Sequence, residues 1–287
     1  MRRCVRMQAG PGSEFVLMLP IVVFILYIAS GTLLLRRQLV DTPAGTMTQG
    51  VGPALLLGAA GLGLHTLSLA ALVVARGGPG LSLGGVLSLV AWLLALFALL
   101  VAVKPRFVGL AAVLLPTAGI AALGTLIPQP VTPRDVAPDW GIHAHVSMSI
   151  LAYSLLSLGA GLAILFLFRE RTLRRRQLSA WTRILPPLES LETALFTALA
   201  AGFSLLTLAL FSGLMFLEDI FAQHLLHKTV LSLVAWSVFA VLLFGRLRLG
   251  WRGRQAVHWV LAGYGLLALS YFGSRFVLEF LLGRQWG

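Results

Sequence analysis

The 287-residue sequence holds one cysteine, Cys4, close to its first residue. With no second thiol there is no C-x-x-C pair, no internal disulfide and no thiolate metal site, and any thiol chemistry the protein takes part in uses another protein's cysteines. Charge is nearly as scarce. Asp, Glu, Lys and Arg make up only 11% of the residues, with ten acids against 22 bases. The long apolar stretches carry almost no carboxylates, the groups that a metal-ion permeation path needs at mid-membrane depth. No grouping of nucleophile, base and orienting residue stands out either.

What the sequence has in quantity is hydrocarbon. Hydrophobic residues account for 58% of it and the mean hydropathy is +0.92, the composition of a membrane protein. A transmembrane helix needs about 20 largely apolar residues to cross a core of about 30 Å. Eight stretches satisfy this, at approximately 15–35, 51–75, 83–103, 107–127, 143–168, 191–216, 225–244 and 257–281. The expected fold is an all-α polytopic membrane protein of eight transmembrane helices. Residues 1–14 form an N-terminal tail, 15–282 the membrane domain and 283–287 a C-terminal tail. The narrowest division is Lys104-Pro105-Arg106, a basic tripeptide that reads as a tight turn between the third and fourth spans.

Lys and Arg accumulate in loops that stay in the cytoplasm. One set of alternate loops holds Arg36, Arg37, Lys104, Arg106, Arg169, Arg171, Arg174, Arg175, Arg176, Arg183, Arg246, Arg248, Arg252 and Arg254, which is 14 of the 22 bases. The opposite loops offer Arg76, Arg134 and Lys228. Both termini therefore belong in the periplasm of a bacterial inner membrane. Arg2, Arg3 and Arg6 pull the other way, as a signal-peptide n-region would, but no A-x-A cleavage site follows them, and Met7 and Met18 are alternative starts. The same asymmetry excludes nucleic acid as a partner: a net charge of +12 here serves loops that face anionic lipid headgroups.

Six histidines interrupt the apolar pattern, and five of them, His65, His143, His145, His224 and His227, fall towards the outer face in this threading. Imidazoles are expensive in hydrocarbon, so their convergence from separate spans points to a bound group, a metal or a haem iron. Taken singly, His65 suits a hydrogen bond to a neighbouring helix as well as a ligand role, and His143 and His224 suit solvated loop positions. His258, beside Trp259 at the cytoplasmic start of the last span, reads as an interfacial pair. His143 and His145 are two apart and point to different sides of a helix. The favoured set is His145 and His227, with His65 as a third. At the same depth Arg275 either snorkels to the interface or grips an anionic group such as a haem propionate.

Several of these residues stand in recognisable surroundings. The stretch His227-Lys228-Thr229-Val230-Leu231-Ser232-Leu233-Val234-Ala235-Trp236, then Gly250-Trp251-Arg252-Gly253-Arg254 and Tyr271-Phe272-Gly273-Ser274-Arg275, resembles the C-terminal half of YpjD-type membrane proteins. These belong to the cytochrome c assembly superfamily, which includes the CcsA, CcmC and HemX branches. Gly63-Leu64-His65, His145-Val146-Ser147-Met148-Ser149 with Tyr153, and Pro186-Pro187-Leu188 with Glu192 are similar to that family too. The resemblance implies a haem-handling protein with periplasm-facing histidines on the iron: His227 matches the last outer histidine, and His65 and His145 match histidines of the YpjD type. It further implies haem b as cofactor, with other assembly proteins or apocytochrome c as partners beside membrane lipid.

One feature departs from the assembly branches. They carry a tryptophan-rich outer segment that presents one face of the haem, whereas residues 128–141 here contain four prolines and a single tryptophan, Trp140. Haem binding is therefore expected ahead of covalent haem attachment, and the expected function is that of a haem-binding accessory rather than an enzyme. Two alternatives use the same features: an accessory subunit of divalent-ion transport built on the histidines with Glu218 and Asp219, and a HemX-like recruiter of a cytoplasmic enzyme through the Arg169–Arg183 loop.

Overall fold

Lipid offers no partner to backbone amides and carbonyls, so apolar runs of this length close their hydrogen bonds internally as helices. The computed structural model describes residues 11–39, 51–75, 83–126, 140–176, 184–216 and 223–270. Within them lie eight α-helices: α1 (Pro11–Leu39), α2 (Val51–Ala75), α3 (Leu83–Ala102), α4 (Val108–Ala122), α5 (Trp140–Arg174), α6 (Leu188–Phe216), α7 (Gln223–Arg248) and α8 (Gly253–Ala268). Seven of them contain segments long and apolar enough to span a membrane; the described part of α8 is 16 residues long. The tight turn expected at Lys104-Pro105-Arg106 is a 3-10 turn, Pro105–Phe107, and a second 3-10 turn, Leu123–Leu126, ends α4. Helices outrun their apolar cores. The 35 residues of α5 extend about 52 Å, so its arginine-rich end projects well past a 30 Å core.

The chain divides into two compact units, residues 1–131 and 132–287. In the first, α1 packs on α2 and α4, and α3 completes the ring against α2 and α4. The second repeats the scheme, α5 against α6 and α8 with α7 between those two. Each unit is thus a ring of four helices in which sequence neighbours are also spatial neighbours, as short connections dictate.

Because lipid is as apolar as leucine, the helices are held by close packing and by polar contacts between them. In the first unit Gly31 of α1 meets Pro116 of α4 so closely that a Cβ would collide with the proline ring, and Ser30 Oγ donates to the Ala54 carbonyl at 2.6 Å. Gly61 lies under the ring of Tyr27, whereas a Cβ on Gly63, Gly159 or Gly161 would meet open space. The outward-facing side chains are apolar, among them Ile25, Leu56, Leu100, Ile120, Leu208, Phe211 and Phe244. A surface of that kind suits lipid rather than water.

At the arginine-rich end of the second unit, Gly250-Trp251-Arg252-Gly253-Arg254 is the turn from α7 to α8, and both glycines adopt the left-handed backbone (φ 68° and 60°). The Trp251 ring lies against Gly245, and its amide donates to the Gly245 carbonyl at 3.1 Å. Arg246 then pairs with Glu192 of α6 at 2.7 Å, donates to the Trp251 carbonyl and covers the Phe196 ring. Arg169 donates to the Leu185 carbonyl just before α6 begins. These motifs therefore fasten the ends of three helices.

Candidate functional site

His65 sits at the centre of the first unit, on the face of α2 that meets both α1 and α3. It is 1% exposed. Its Nδ1 lies 3.3 Å from the Tyr27 hydroxyl and its Nε2 2.8 Å from the Ser88 hydroxyl, and the Tyr27 ring meets the imidazole edge-on. Hydroxyls both donate and accept, so the ring is satisfied on two sides in either tautomer. As placed, His65 has no ring nitrogen left for iron. A ligand role would require it to give up Tyr27 or Ser88.

His145 has a different environment. It stands in the second turn of α5, half-buried, and its Nδ1 is 2.9 Å from the Ala209 carbonyl and 3.0 Å from the Ser212 hydroxyl of α6. A carbonyl oxygen only accepts, so Nδ1 carries the proton and Nε2 the lone pair. Ser212 turns its own proton to the same carbonyl at 2.9 Å, which leaves its oxygen free to accept from the imidazole. The space for the ring comes from Gly213, where a Cβ would stand 3.0 Å from His145 Cε1 and 3.4 Å from Nδ1. Among the described residues no hydrogen-bond partner meets Nε2, and an imidazole that donates to a carbonyl through one nitrogen and keeps the other for a ligand is the arrangement common to metal-ligating histidines.

His227 is the fifth residue of α7. The register of α7 on α6 is set by Trp236 Nε1, which donates to Thr207 Oγ1 at 2.9 Å, with the Trp236 ring stacked on Phe203. Nine residues back along α7, the His227 backbone comes level with the last turn of α6, about one helical turn beyond Gly213. The structure thus brings the backbones of His145 and His227 to one end of one unit, on helices that share α6 and α8 as neighbours. His143 and His224 lie in the same two helices. Arg275, Glu218 and Asp219 lie outside the described residues. His258, on exposed α8 surface, bonds through Nδ1 to the carbonyl of Arg254 one turn earlier.

Farther along α5, on the side that meets α8, Tyr153 and Ser157 contact Tyr264: the Tyr264 hydroxyl lies 2.9 Å from Ser157 Oγ and donates to Tyr153 at 3.2 Å. Ser232 and Ser270 pair at 3.0 Å between α7 and α8. Polar groups therefore line the interior of this unit while its exterior is apolar. Among the described residues, no three His, Cys, Asp or Glu side chains come together as a metal site would need. A haem requires only one axial imidazole from each side, and the His145 geometry fits that need.

Sequence reasoning missed Ala209, Ser212 and Gly213. The Ser212-Gly213 step interrupts an apolar run close to the end of α6 and was the one available signal; the carbonyl of Ala209 has no signature at all.

Residues 54–282 match the cytochrome C assembly protein family. The inner membrane protein YpjD of Escherichia coli strain K12 is 35% identical over 221 residues, which cover 76% of this chain and 83% of that protein. An uncharacterised 28.8 kDa protein of Azospirillum brasilense is 34% identical over 172 residues, 59% of this chain and 63% of the other. The cytochrome c biogenesis protein CcsA of Guillardia theta is 25% identical over 159 residues, 50% and 53% of the respective chains. No solved structure matches.

Proposed function

The chain belongs to the cytochrome c assembly protein family as a multi-pass inner-membrane protein, and from that premise we propose that it is a haem-handling accessory which holds haem b at the His145 end of its second helical unit. The observation that carries the reading is the single-sided satisfaction of His145: Nδ1 is fixed by α6 and, among the described residues, Nε2 meets no hydrogen-bond partner, so in this reading it is the ligand atom. His227 is the second ligand in this reading, because its backbone stands on the same end of the same unit. Arg275, by its place in the sequence, is the partner for a propionate. Bound between two imidazoles, haem iron has both axial positions filled, which suits storage or electron transfer over oxygen activation.

The arginines support an orientation. Arg169, Arg171, Arg174, Arg175 and Arg176 lie at the far end of α5 from His145, and Arg246, Arg248, Arg252 and Arg254 at the corresponding end of α7 and α8. With that end in the cytoplasm, the histidine end faces the periplasm, as do both termini if the chain crosses eight times. The residues of this chain then bind the haem, orient it and set its ligand strength; they offer no tryptophan-rich platform for joining it to apocytochrome c. Trp140, the one tryptophan of that segment, begins α5 and is strongly exposed.

The test is spectroscopic. Protein purified from haem-replete cells should show a Soret band that His145→Ala removes and that His227→Ala weakens. A wild-type preparation without the band, or a band indifferent to both substitutions, would overturn the proposal.

A further inference from the structure

If His145 binds iron, as the reading above holds, something must stop its imidazole from turning over and presenting the wrong nitrogen. We infer that Ala209, Ser212 and Gly213 of α6 form a preformed cradle that fixes the tautomer and rotamer of His145, so that Nε2 alone is offered to the haem and its strength as a ligand is set from α6.

Three contacts act together. The Ala209 carbonyl takes the Nδ1 proton at 2.9 Å; because it can only accept, it refuses the tautomer with a lone pair on Nδ1. Ser212 Oγ, 3.0 Å from the same nitrogen, accepts a share of that proton while its own hydrogen goes to Ala209. Gly213 leaves the ring its place, with Cε1, Nδ1 and Nε2 all within 3.8 Å of where a Cβ would stand. A hydrogen bond from Nδ1 makes an imidazole a stronger electron donor, and such outer partners of metal ligands typically change affinity 10–100-fold when lost. Ser212 is 7% exposed and Ala209 3% exposed, so water does not readily stand in for either. None of the three touches iron; all are positioning residues acting through His145. The contrast with His65 supports this assignment, since two hydroxyls accept either of its tautomers.

The experiment replaces the side chain by a diffusible one. When haem and free imidazole are added together to full-length His145→Gly protein, the bis-imidazole spectrum of the wild type should be restored. 1-Methylimidazole still coordinates through its other nitrogen but has no N–H to give Ala209 and carries a methyl where the cradle closes. It should bind about tenfold more weakly, the effect of one lost buried hydrogen bond. Equal affinities for the two would overturn the cradle while leaving the haem reading intact, and so would failure of both to restore the spectrum in a protein whose wild type binds haem. A wild type without a haem band would overturn the parent reading and this inference with it. As a second arm, Gly213→Val should abolish the wild-type spectrum while the purified protein still melts cooperatively. An unchanged spectrum in that variant would contradict the steric part of the assignment.

Discussion

The two four-helix units place the same residue type in opposite circumstances. In the first, His65 is sealed inside the bundle with a hydroxyl on each ring nitrogen; in the second, His145 is half-buried with Nδ1 bonded and no partner for Nε2 among the described residues. Both interrupt an apolar helix, and both are costly to place in a membrane interior. What separates them is where the two partners of each sit: one on each ring nitrogen of His65, both on Nδ1 of His145. Both rings join helices, but one satisfied on both nitrogens has nothing left to bind with, whereas one held through a single nitrogen keeps the other for a ligand.

The comparison can be broken most forcefully at His145. His145→Ala should reduce haem affinity at least a hundredfold, seen as loss of the Soret band on purification, with little change in the melting of the protein. His65→Ala should do the reverse. It opens a cavity and strands the hydroxyls of Tyr27 and Ser88, so thermal or denaturant unfolding in detergent should show a loss of about 2–4 kcal/mol while the haem band persists. Tyr27→Phe is milder, since it removes one of two partners from His65 and should cost about 1 kcal/mol in the same assay. The smallest effects are expected at glycines. Gly63→Ala and Gly159→Ala face open space within helices and should be neutral or stabilising by up to about 1 kcal/mol, whereas Gly61→Ala would press on Tyr27 and should destabilise. Equal behaviour of Gly61 and Gly63 would contradict the packing described for the first unit.

Hydropathy made most of the helix layout legible. The apolar stretch at 51–75 is α2 to the residue, and the basic tripeptide at 104–106 is a turn, because lipid length and proline chemistry act locally. Helix ends were less legible. The stretch at 143–168 continues as helix from Trp140 to Arg174, since charged residues stop burial in lipid without stopping a helix; Arg176, with φ 50°, marks the actual turn. Within the candidate site, His145 could be singled out by depth, but its difference from His65 could not. That difference rests on partners 23 to 67 positions away, and one of them is a backbone carbonyl that any residue would supply. The sequence likewise showed Glu192, Arg246 and Trp251 as separate motif fragments, and only the fold makes them one fastening.

The most direct test of the central claim is the absorption spectrum of three proteins prepared side by side from haem-replete membranes: wild type, His145→Ala, and His65→Gln, which keeps hydrogen-bonding capacity near Tyr27 and Ser88. The expected result is a Soret band of equal intensity per protein in wild type and His65→Gln, and none in His145→Ala. A band that survives in His145→Ala but disappears in His65→Gln would contradict the account, because it would put the iron on the histidine that the fold has already satisfied.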